Sequence, residues 1–79
     1  MSNYSKGVRW GKKIFGENLK NFGMDGIHKS DKATRTCADY VSGKRKKNNI
    51  GKKIDSNLKQ FYRGVVDGMN EAYRDLYKD

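Results

Sequence analysis

Apolar residues step through the C-terminal part of the chain at intervals of three and four. Ile50, Ile54, Leu58, Phe61, Val65, Met69, Ala72 and Leu76 align along one side of a helix that turns about 100° per residue. The stripe predicts one long amphipathic helix over 49–78. Tyr62, Val66, Tyr73 and Tyr77 fall together on one flank and widen the apolar arc to roughly half the circumference. One packed neighbour covers less than that. Either two neighbours share the arc, or the tyrosine flank is an exposed strip for a partner or a second copy of the chain. Self-association into a homodimer is the expectation on the second view.

The opposite flank of the same helix is smooth. Gly64, Gly68 and Ala72 lie four apart there, and Gly7 and Gly11 repeat the spacing near the start of the chain. Small residues in this register let two backbones approach closely, so these two faces are expected to meet. The first helix is expected over 5–22, with Val8, Phe15, Leu19 and Phe22 on one face and Trp10 and Ile14 as a flanking pair. Lys6, Arg9, Lys13 and Lys20 line its other side. Residues 23–26 read as a turn. Ser30 or Asp31 then caps a second helix over 31–42, with Ala33, Cys37, Tyr40 and Val41 as a narrow stripe and Gly43 at its stop. The fold class is therefore all-α, a small three-helix domain with a long C-terminal amphipathic helix.

Size and composition narrow the picture. Seventy-nine residues leave room for one small domain, 1–79, and an apolar content of 34% predicts a thin core. Cys37 is the only cysteine and His28 the only histidine, so neither an intrachain disulfide nor a Cys/His zinc site is expected, and a reducing, cytoplasmic setting fits. No apolar run approaches the length of a membrane span, and the opening residues carry no signal-peptide stretch. The chain lacks proline, which favours unbroken helices.

Charge changes the reading most. The net charge is +9, and residues 1–53 hold 14 basic and 4 acidic residues against 4 and 5 in residues 54–79. A basic body with a near-neutral tail points to a polyanionic partner, with solubility alone as the plainer explanation. The densest segment is Lys44, Arg45, Lys46, Lys47, Asn48, Asn49, Ile50, Gly51, Lys52, Lys53: six cations, two amides and no acid. Cations that meet phosphates release condensed counterions, and the amides suit bases or sugar edges. The segment also leads into the third helix, whose amino terminus favours anions. The expected nucleic-acid-binding set is therefore 44–49, Lys52 and Lys53, supported by Arg9, Lys12 and Lys13. Lys29, Lys32 and Arg35 add charge elsewhere. Trp10, Tyr4 and Tyr40 are candidates for stacking on unpaired bases. RNA and DNA stay undivided at this level.

Other chemistries have less support. Residues 37–43 resemble the first helix and turn of a helix-turn-helix, but 44–49 are too polar for its second helix. Residues 6–16 are basic and amphipathic with a tryptophan, as membrane-surface helices are, yet a folded domain would bury Val8, Phe15 and Leu19 instead. His28 has no sequence neighbour suited to acid–base work, Cys37 reads as a small buried hydrophobe, and Asp67, Glu71 and Asp75 lie at i, i+4, i+8 on a polar face that suits solvent or a basic partner. No enzyme activity, cofactor or metal is expected. In size and charge the chain resembles small phage and plasmid proteins that bind host or defence complexes, a likeness of composition that no motif carries. It motivates the alternative: an interaction module or inhibitor that binds an acidic or nucleic-acid-handling protein through Tyr62, Val66, Tyr73 and Tyr77, with the lysines steering the encounter.

Overall fold

Serine and aspartate side chains set where two of the three helices begin. The computed structural model describes residues 2–78, which form α1 (Asn3–Phe22), α2 (Met24–Ser42) and α3 (Ser56–Leu76) with no strand among them. The Ser2 hydroxyl accepts a hydrogen bond from Ser5 N–H and starts α1 two residues earlier than expected. Asp55 accepts from Leu58 N–H at 2.8 Å and starts α3 at Ser56. The apolar stripe had placed that start at 49, but 43–55 is a loop. Ile54 keeps its place in the core from there, whereas Ile50 is 79% exposed.

The helices run up, down and up. α1 and α2 are joined by Gly23 alone, so the expected turn over 23–26 shrinks to one residue, with a positive φ of 59°. α2 therefore begins at Met24, well before the Ser30–Asp31 cap read from the sequence. Ser30 lies inside α2 and is 1% exposed, its hydroxyl accepting from the Asn18 amide at 3.1 Å. Gly26 is there for contact: a Cβ on it would strike the Asn18 backbone. On the far side of α2, Tyr40 packs on Tyr62, and the Thr34 hydroxyl lies 2.8 Å from the Ser30 carbonyl oxygen and 2.9 Å from the Met69 sulfur. These pairings run α2 antiparallel to α3.

α1 and α3 are parallel and share the most intimate interface, with the expected smooth faces in contact. A Cβ on Gly7 would lie 2.9 Å from Gly64 Cα and closer still to the Phe61 carbonyl oxygen. Cβ atoms on Gly64, Gly11 and Gly68 would strike the carbonyl oxygens of Tyr4, Val65 and Val8. The exchange is reciprocal, each helix aiming glycine Cα–H groups at carbonyls of the other, a geometry in which weak C–H···O contacts add to close packing. Further along, Phe15 meets Tyr73 edge to face at 6.3 Å between centroids. Phe15, Tyr40, Ile54, Val65 and Met69 form the buried apolar core, which is as thin as the composition implies.

The wide arc of α3 is thus divided between two neighbours. α1 takes the glycine flank, and α2 takes the side carrying Tyr62 and Met69. The motive for a homodimer narrows to the end of the helix, where Tyr73 and Tyr77 are 46% and 60% exposed. No described helix is long and apolar enough to cross a membrane.

Candidate nucleic-acid interface

Because α1 and α3 are parallel, the loop that enters α3 lies at the same end of the molecule as the start of α1. Loop 43–55 folds back on itself. Lys47 pairs with Lys53 in an antiparallel bridge, framed by Ile54 N–H donating to the Lys46 carbonyl at 2.9 Å and Asn48 N–H donating to the Lys52 carbonyl at 3.0 Å. Asn48 organises the tip: its side-chain oxygen accepts from Ile50 N–H and Lys52 N–H at 3.1 and 2.9 Å, and its carbonyl accepts from Gly51 N–H. Gly51 has a φ of 80°, which its lack of a Cβ allows. The Asn48 side-chain oxygen is therefore engaged within the loop. Asn49 stays exposed.

The bridge has a cost. Its hydrogen bonds flank the Lys47–Lys53 pair without joining it, so it is the kind in which opposed side chains stand closest, and like charges placed so repel. The adjacent groove, about 370 Å³, is lined by Gly43, Arg45, Lys46, Lys53, Ile54 and Lys59. Four of its six residues are cations and none is acidic. Arg45 Nε lies 3.8 Å from Asp39, the long pairing of a partly exposed side chain. Buried Ile54 anchors the floor, so the charges stand on a fixed element. Lys59 was not among the residues singled out from sequence. It joins the groove because α3 starts at Ser56 and places it on the first turn, a signal visible only once the helix start is known. The Asp55 carboxylate stands at the amino terminus of α3 and takes Leu58 N–H, so a phosphate at that helix end would meet a competing negative charge.

A second cationic cluster stands on α1. Lys6, Arg9, Trp10 and Lys13 line a groove of about 310 Å³ with Phe61 of α3. Lys6, missed as a contact though its i, i+3, i+7 spacing with Arg9 and Lys13 was visible, belongs with them. Lys12 does not. It turns to the other side of α1 and pairs with Glu71 at 3.1 Å. The Tyr4 hydroxyl donates to Asp67 at 2.6 Å on the same flank, so two members of the acidic row on α3 hold α1. That hydrogen bond, ahead of the carboxylate charge, raises the Tyr4 phenol above its ordinary value. Arg35 is paired with Asp31 within α2.

The three aromatics proposed to stack on bases differ in exposure. Tyr40 is buried on Tyr62, and Tyr4 stays 40% exposed with its hydroxyl tied to Asp67. Trp10 is 50% exposed, with Lys13 Nζ 5.6 Å from its ring centroid. The tyrosine flank divides in the same way. Tyr62 and Val66 are half-buried, while the Tyr73 and Tyr77 rings meet at a tilt, 4.9 Å between centroids, and stay exposed, the Tyr73 phenol raised chiefly by the neighbouring Tyr77 phenol. His28 is exposed on α2. Cys37 is half-buried, and burial pushes its thiol up to about 11, away from nucleophilic use at neutral pH.

Comparisons with protein-family models, with curated proteins and with solved structures find no match to this chain.

Proposed function

We propose that this protein is a non-enzymatic nucleic-acid-binding protein that holds the phosphate backbone at its basic end. The observation that carries the reading is the groove of Arg45, Lys46, Lys53 and Lys59 beside the Lys47–Lys53 pair. Folding brings these like charges together at an electrostatic cost, and a phosphate in the groove would offset it. The α1 cluster of Lys6, Arg9 and Lys13 extends the positive surface at the same end.

The test separates local charge from net charge. Lys46→Glu with Lys53→Glu removes two groove cations, and the Glu placed opposite Lys47 makes an attractive cross-strand pair, so the loop should still form. Lys32→Glu with Lys78→Glu makes the same change in net charge on exposed positions elsewhere. Binding to labelled oligonucleotides should fall more than about tenfold for the groove variant and less than about threefold for the control. Equal losses would reduce the reading to nonspecific charge.

One observation favours the alternative, a protein-interaction module or inhibitor. Tyr73 and Tyr77, with Leu76 between them 41% exposed, leave an aromatic patch at the end of α3. Aromatic anchors dominate protein interfaces. A chain that binds no oligonucleotide but loses a protein partner on Tyr73→Ala with Tyr77→Ala would establish that reading instead.

A further inference from the structure

The α1 groove does not stand alone. Trp10 and Phe61 line it, and the same two rings line a second groove of about 330 Å³ whose other walls include Ile14, Ala33, Cys37 and Met69. One side of this aromatic pair is therefore cationic and the other apolar. Both volumes fall at the lower end of the range of about 300–1,000 Å³ in which small ligands bind. Lys13, whose ammonium stands over the indole, lines the cationic groove and not the apolar one. The indole side toward the apolar groove is left to a flat, uncharged group.

We infer that this pair of grooves is a stacking subsite for an unpaired base: the base lies against Trp10 in the apolar groove while Lys6, Arg9 and Lys13 hold the phosphates that flank it. The inference rests on the nucleic-acid reading and sharpens it, because it makes single-stranded nucleic acid the preferred substrate. A base inside a duplex offers no free face to an indole, whereas an unpaired base stacks with favourable energy on an aromatic ring flanked by cations. The walls contribute almost wholly apolar and aromatic side chains, so hydrogen-bond reading of base edges is weak and all four bases are accepted with similar affinity. RNA and DNA strands are taken alike on the same ground.

Trp10 is the only tryptophan, so its emission reports this site in the unaltered protein. The experiment titrates the protein with three end-labelled probes: a 15-nucleotide oligo-dT strand, a strand of the same length built of abasic units, and a 15-base-pair duplex. Anisotropy of the label reports binding, and Trp10 emission reports stacking. The expected result is binding of oligo-dT with strong quenching, and weaker binding of the abasic strand and the duplex with little quenching. Trp10→Ala should weaken oligo-dT binding about 5- to 150-fold, weaken duplex binding far less, and be largely rescued by Trp10→Phe. Binding of all three probes with unchanged Trp10 emission would overturn the stacking site and leave the phosphate-binding reading intact. Absence of anisotropy change with every probe would overturn both. Quenching by phosphatidylglycerol vesicles but not by oligo-dT would assign the grooves to an anionic amphiphile and overturn the inference.

Discussion

Gly68 offers the sharpest test of the packing. Substituting alanine there sets two effects against each other. Helix propensity favours alanine over glycine by about 0.5–1 kcal/mol. Against that, the new Cβ would lie under 3.0 Å from the Val8 carbonyl oxygen, whereas ordinary contact begins at 3.4 Å. A backbone carbonyl in a helix cannot rotate aside, so α1 and α3 must part by roughly 1 Å along their closest seam. Overpacking of this kind costs about 1–3 kcal/mol, and the rigid neighbour puts it at about 2–2.5 kcal/mol. The net loss is therefore about 1–2 kcal/mol, a large share of the roughly 4–12 kcal/mol that a chain of this length commands. Thermal unfolding followed by circular dichroism should show Gly68→Ala melting about 4–16 °C lower. Gly68→Leu should lose the cooperative transition altogether. Gly16 is the control, since a Cβ there meets nothing within 4 Å and its φ is not positive. Gly16→Ala should gain about 0.5–1 kcal/mol and raise the melting temperature by about 2–8 °C. If Gly68→Ala melts at or above the parent, the close parallel packing of α1 and α3 is wrong.

Three further outcomes follow from local chemistry. Asp55→Asn keeps an N-cap acceptor of similar quality, so stability should hold within about 0.5 kcal/mol, while removal of a negative charge beside the basic loop should tighten oligonucleotide binding several-fold; unchanged affinity would separate the loop from the binding surface. With its thiol raised from 9.0 to about 11, Cys37 holds about 100-fold less thiolate at pH 8 than an ordinary cysteine, and a disulfide reagent should label it about that much more slowly; labelling at the rate of a free thiol would contradict its burial. The same shift fixes a pH dependence: the folded chain keeps a proton that the unfolded chain releases above pH 9, so this stabilisation is complete below 9 and is lost as pH rises toward 11, with the raised phenols of Tyr4 and Tyr73 acting in the same direction at higher pH. Urea titrations from pH 7 to 11 should show stability falling, and Cys37→Ala should flatten the first part of the fall.

The helix that was easiest to read had the most redundant signal. The α3 stripe repeats over several turns, and the matched glycines in α1 and α3 announced the tightest interface because only backbone contact explains small residues at the same spacing on both helices. What misled was residues whose type serves two purposes. Gly26 and Ser30 read as turn and cap, but Gly26 is small because Asn18 backbone sits against it, and Ser30 is buried on the Asn18 amide. Ile50 continued the stripe by spacing alone, while Asn48 and Gly51 were closing a loop around it. The basic segment was plain as charge. Its groove was not, because Lys59 joins it only through where α3 begins, and Lys12 leaves the cationic face only because Glu71 stands across from it on α3.

The most direct measurement of the central claim is the affinity of the purified protein for a single-stranded oligonucleotide across a salt series. Each phosphate contact contributes about −0.7 to the slope of log K against log salt. The four groove cations alone give a slope of about −3, and adding Lys6, Arg9 and Lys13 brings it to about −5. The account predicts submicromolar binding at low salt with a slope between these values, flattened by about 1.5 on Lys46→Glu with Lys53→Glu. Binding that is absent at moderate salt, or a slope untouched by the two substitutions, would contradict it.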